Sequence, residues 1–149
     1  MYHPFRHLLS YFRDGDGMTM SIEPTPGGKA EWYSPAEDHM MLRPGQLQVE
    51  RRCAVAHGLA HRDLGHSGVC EYPDAVRQAS RAEMEADELA ARRLIRLAHF
   101  IEVLCWTDDK DEAADALWVT RHYLDVRLER MYMGEQKIVR EALIARGVP

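Results

Sequence analysis

Apolar positions recur along this chain with two periods, and the change from one to the other organises it. Phe5, Leu8, Leu9 and Phe12 stand three to four apart, so residues 3–13 are predicted to form a short amphipathic helix. Asp14-Gly15-Asp16-Gly17 breaks it. Met18, Met20 and Ile22 then alternate with Thr19, Ser21 and Glu23, the period of a half-buried strand. Pro24-Thr25-Pro26-Gly27-Gly28 makes a turn, residues 30–33 can pair back, and residues 39–42 form a third strand ended by Pro44-Gly45. A small antiparallel sheet is the expectation for this third of the chain.

From Gln46 the period becomes helical. Leu47, Cys53, Ala54, Ala56, His57, Ala60, His61 and Leu64 fall along one broad face, and Gly65 is a natural stop. Residues 67–73 read as a loop. One long helix is expected over residues 74–104, with a stripe of Val76, Ala79, Glu83, Ala86, Asp87, Ala90, Leu94, Leu97, Ile101 and Leu104. Residues 106–110 break it, and helices follow over 111–117 and 120–133, with Gly134 dividing off 137–146. The fold class is therefore α+β: a mostly helical domain with a small N-terminal sheet and a C-terminal helical segment. The boundary is placed between residues 107 and 108, with 108–149 packed on 1–107.

Size and charge narrow the classes. The chain has 149 residues, enough for one modest core. No apolar run approaches the ~20 residues of a membrane span, and residues 1–12 carry His3, Arg6 and His7 where a signal peptide would be continuously apolar. Cys53, Cys70 and Cys105 form no C-x-x-C pair and no disulfide framework, which suits a cytoplasmic protein. A net charge of −5 argues against binding to phosphate backbones.

The chemistry lies on two helices. His57-Gly58-Leu59-Ala60-His61 puts two imidazoles at i and i+4, their Cβ atoms ~6 Å apart. Glu83 and Asp87 repeat that spacing and sit on the apolar stripe, where an uncompensated carboxylate costs several kcal/mol. Salt bridges to Arg51 or Arg52 would satisfy them; a cation shared with the histidines is the simpler account. Zinc held by His57, His61 and Glu83 keeps one position for water, and Asp87 is placed to accept a ligand histidine's N–H and fix its tautomer. Cys53 is no fourth ligand, because it lies ~12 Å from residue 61 along the helix; it reads as core. His66, just past Gly65, reads as a surface residue, with a place pointing toward the cleft as the alternative.

The stretch 50–66 followed by Glu83-x-x-Ala86-Asp87-x-x-Ala90 resembles the ImmA/IrrE-type zinc metallopeptidases, gluzincin-like proteins found beside phage and mobile-element repressors. Their pattern is H-E-x-x-H, often followed by G-H, then E-x-x-A-[ND]-x-x-A on a second helix. The resemblance covers roughly residues 3 to 133. It implies a zincin-like domain over 1–107, zinc ligation by His57, His61 and Glu83 with Asp87 behind them, and a helix-turn-helix transcriptional repressor as the protein partner.

One position departs from that pattern. The catalytic glutamate after the first histidine is Gly58 here. Loss of a general base costs ~10²–10⁴ in rate, and glycine costs a helix about 0.5–1 kcal/mol relative to alanine. Asp63 lies about 240° round the helix from His57 and Glu50 is ~10 Å away, so neither substitutes. An inactive or impaired peptidase is expected, with sequestration of the repressor by a non-catalytic antirepressor as the alternative. An oxyanion-stabilising residue is not singled out among Tyr72, His66, His122 and Tyr123.

The segment from Asp111 onward resembles a helix-turn-helix, with Thr120 as N-cap and Val119, Tyr123, Val126, Leu128 and Met131 facing inward. Between Asp111 and Met131 five acidic residues outnumber three arginines. Packing or partner docking is therefore expected in place of DNA reading.

Overall fold

Three strands open the fold: β1 (Thr19–Ile22), β2 (Glu31–Ser34) and β3 (His39–Leu42). This computed structural model describes residues 18–66 and 75–149, the side chains of 75–79 excepted. The helix expected over 3–13, the loop expected over 67–73 with Cys70 and Tyr72, and the Val76 and Ala79 side chains lie outside the described residues.

The sheet is mixed, which corrects the antiparallel expectation. Its order is β1-β3-β2, with β2 antiparallel and β1 parallel to β3. The eight residues from Glu23 to Ala30 hold Pro24, Pro26 and a short 3-10 turn, and make no tight hairpin. They carry the chain ~10 Å across the sheet end, two strand spacings, and β3 fills the gap. The β2–β3 hairpin is closed by Asp38, whose carboxylate accepts from the Tyr33 hydroxyl at 2.7 Å and from the Arg62 guanidinium at 2.9 and 3.2 Å.

Six helices follow among the described residues: α1 (Gln48–Asp63), α2 (Ala75–Leu94), α3 (Leu97–Trp106), α4 (Lys110–Leu117), α5 (Arg121–Glu129) and α6 (Met133–Ala145). Helix α1 is central. Every residue from Arg52 to Ala60 is buried, because β2 and β3 cover one side and α2 the other. Small residues make the helix pair possible: Ala54, Ala56 and Ala60 on α1, Ala86 and Ala90 on α2, all buried. Close approach of the two axes lets side chains four residues apart on each helix meet across the seam.

The single helix expected over 74–104 is two. It breaks at Ile95 and Arg96, and the buried face shifts from the Ala86–Ala90–Leu94 stripe to Phe100 and Val103. Two buried arginines explain why the break is tolerated. Arg52 donates to the Leu94 carbonyl at 3.3 Å and Arg127 to the Ile95 carbonyl at 3.1 Å, which satisfies groups a break exposes. Helix α3 also continues through Trp106, where a break was expected. In place of a helix over 120–133 divided from 137–146 by Gly134, the chain leaves helix at Arg130–Tyr132, and Gly134 lies in the first turn of α6. Thr120 precedes α5 but its hydroxyl makes no capping bond. Helix α5 packs on α2 and α6 on α3, and Arg52 of α1 donates to the carbonyls of Leu117 and Trp118, so the C-terminal residues meet both α1 and α2.

Candidate metal centre

Strand β2, α1, α2 and α5 each send a polar side chain to one place. Nε2 of His57 lies 3.2 Å from Glu83 Oε2, and Nε2 of His61 lies 3.2 Å from Glu83 Oε1. One coordinating atom from each of His57, His61 and Glu83 falls within 4.8 Å of the other two. The three residues picked from the sequence are thus brought together in space. The two rings meet edge to face with centroids 4.5 Å apart. His57 is almost wholly buried, whereas the Glu83 side chain is 54% exposed, so the group opens to solvent past Glu83.

Both rings are engaged from behind. Nδ1 of His57 pairs with the Glu31 carboxylate, which reaches in from β2. Nδ1 of His61 lies 2.9 Å from Nδ1 of His66, and Nε2 of His66 lies 3.3 Å from Glu85. The turn after α1 puts His66 there. Gly65 takes a left-handed conformation (φ +67°), His66 N–H donates to the His61 carbonyl and Gly65 N–H to the Arg62 carbonyl, so the chain doubles back on His61. Contrary to the sequence reading, His66 is a half-buried neighbour of His61.

Asp87 approaches His57 on its front edge, with Oδ1 3.3 Å from Nε2. Its Oδ2 lies 2.9 Å from Nε2 of His122. It is Glu31 that stands on the rear nitrogen, a residue the sequence reading passed over. A signal for it existed: Glu31 and Tyr33 pair with Leu42 and Met40, both wholly buried, so Glu31 is a carboxylate on an inward strand face.

The carboxylates around His57 favour positive charge at that point. Burial opposes charge on His57, yet contact with Glu31 and Glu83 outweighs it and pushes the pKa up to about 10. Contacts with His57 and His61 hold the Glu83 carboxyl well below the usual carboxylate range. Burial raises the Tyr123 phenol, and the nearby charges of Asp87 and Glu31 raise it further, so it stays protonated beside them. Nε2 of His57 is buried and completes no well-directed hydrogen bond, although two carboxylate oxygens stand nearby. Such an orphaned nitrogen in a set of two imidazoles and a carboxylate fits zinc.

Gly58 has a local reason. A Cβ built there would lie 2.5 Å from Met40 Cε, 3.0 Å from Met40 Sδ and 3.5 Å from Glu31 Cγ. The space of a residue-58 side chain is filled from the sheet. Asp63 pairs with Arg93 at 2.6 Å, and Glu50 accepts from the Leu47 N–H at the start of α1, so both are committed elsewhere. No protein-family model, no curated protein and no solved structure matches this chain.

Proposed function

We propose that this protein is a zinc-binding, metallopeptidase-like domain that engages a helix-turn-helix transcriptional repressor and is impaired as a protease. The observation that carries the metal reading is the convergence of His57 Nε2, His61 Nε2 and Glu83 on one point, with both Nδ1 atoms engaged from behind. His57, His61 and Glu83 would hold the ion. The chemistry bound zinc supplies is Lewis-acid polarisation of a carbonyl and acidification of water. The repressor partner and the zincin-like fold rest on the resemblance of the His57–His61 and Glu83–Asp87 motifs.

The described residues supply less than a peptidase needs. A general base must reach the reacting proton within hydrogen-bond distance. Position 58 has no side chain, Met40 fills the space, and Asp63 and Glu50 are tied up. Asp87 is the carboxylate left on the front side, and it is shared with His122. These observations favour the second reading, a non-catalytic antirepressor that sequesters its partner with the metal in a supporting role.

Elemental analysis of the protein and of His57→Ala tests the first step. About one zinc per chain, lost in the variant, is expected; none in the wild type overturns the metal reading. Incubation with a helix-turn-helix repressor tests the second, since cleavage gives fragments and sequestration a stable complex.

A further inference from the structure

The most unusual feature around the metal group is the side chain that comes from outside the two motifs. Glu31 leaves β2, crosses the face of α1 beside Gly58, and places its carboxylate on Nδ1 of His57. Both partners are largely shielded from water, with side chains 8% and 13% exposed. A carboxylate there is expensive to bury unless it has a lasting partner. Its partner is the ring that also faces Glu83.

We infer that Glu31 is the positioning residue of the metal centre: with metal bound, it holds the His57 ring by the hydrogen on Nδ1 and so turns Nε2 toward the ion. The inference rests on the proposed metal site and adds a role that neither motif contains. A ligand imidazole whose far N–H is held by a carboxylate is fixed in tautomer and orientation and becomes more basic. Behind His61 stands another imidazole, His66, which lies beside Glu85. The two ligand histidines are thus unequal, and His57 is the one with a buried negative charge directly behind it.

The geometry also links Glu31 to residue 58. A Cβ at 58 would sit in ordinary contact with Glu31 Cγ at 3.5 Å, so the Glu31 stem passes directly over that turn of α1. Glu31 cannot stand in for the missing base, because it lies on the edge of the ring opposite Nε2.

The test measures Zn²⁺ and Co²⁺ affinity by chelator competition for the wild type, Glu31→Gln and Glu31→Asp. It also records the exchange of the His57 Nδ1 proton with water in the zinc-loaded proteins by ¹H–¹⁵N correlation. Glu31→Gln should weaken both metals by about 10- to 100-fold and speed that exchange. Glu31→Asp should recover part of each. A merely structural Glu31 would alter melting of the metal-free protein and leave proton exchange and affinity alone. Equal affinity and unchanged exchange in Glu31→Gln overturn this inference and leave the metal site standing. A wild type that takes up neither metal overturns both.

Discussion

Met40 occupies the space that a side chain at Gly58 would need: its Cε lies 2.5 Å from the Cβ position of residue 58. Met40 is wholly buried on β3, so its tip has no open route to solvent. The helix cost of glycine is therefore offset by sheet-to-helix contact. Gly58→Ala should destabilise the fold by about 1–3 kcal/mol, the range for overpacking, despite alanine's better helix propensity. Met40→Ala alone should cost about 2–5 kcal/mol. The double variant should be more stable than the sum of the two losses, read as a coupling energy from urea midpoints. Strict additivity would mean that the two positions do not compete.

The same contact bears on restoring a base. Gly58→Glu alone should fold poorly and yield no repressor fragments, because its Cβ meets Met40. Gly58→Glu with Met40→Ala should relieve that collision and is the variant in which cleavage is expected. Digestion assays on both, with zinc and with EDTA, check this. Cleavage by the single variant would show that Met40 yields without help.

Metal should stabilise the fold by mass action. The ligands lie on α1 and α2, whose packing is the middle of the molecule. Free zinc at a hundredfold excess over its dissociation constant should add about 2.7 kcal/mol, and EDTA should remove it. His61→Ala and Glu83→Gln should melt at one temperature with or without zinc, as read by scanning calorimetry. A zinc-dependent shift that survives both substitutions would place the ion elsewhere.

Arg52 should be among the most sensitive positions outside the metal group. It is 1% exposed, and its guanidinium donates to the carbonyls of Leu94, Leu117 and Trp118, at the ends of α2 and α4. Arg52→Met keeps the apolar stem and leaves those carbonyls without this donor. A loss of about 3 kcal/mol or more is expected by chemical denaturation. Arg52→Lys should recover little, since one ammonium cannot span both helix ends as the planar fork does.

Much of this was legible in the chain, and the exceptions have physical causes. Strand and helix periods locate the segments, although only β3 shows the alternation in its burial: Met20 and Ile22 of β1 are exposed and α1 is buried all round from Arg52 to Ala60. The i, i+4 spacing groups His57 with His61 and Glu83 with Asp87. Strand order was hidden: period gives the face and not the neighbour, so the parallel β1–β3 pair could not be read. The break at Ile95 was hidden too, since its carbonyls are satisfied by Arg52 and Arg127, remote in sequence. Glu31 was missed for the same reason. Its partner is 26 residues away, and only the register with β3 turns it toward α1.

Acid should act through Glu135 on the C-terminal helices. Its carboxylate receives Arg127 at 2.8 and 3.1 Å and Arg92 at 2.9 Å, and Arg127 is 3% exposed. Contact with Arg127, against an opposing burial effect and with help from Arg92 and the Tyr132 N–H, holds the carboxyl down to about 2. The unfolded chain binds that proton near 4.5. Between those values the unfolded state carries the extra proton, so stability must rise with pH there. The contribution of Glu135 is complete above about 4.5 and lost as pH falls toward 2. Glu135→Gln should cost about 1–2 kcal/mol at neutral pH, the scale of a charge-assisted hydrogen bond discounted because Glu135 is only half-buried. Urea midpoints taken from neutral pH downward should show the gap between wild type and variant closing as the medium approaches pH 2. A gap that stays constant into acid would mean that Glu135 acts through shape and not through charge.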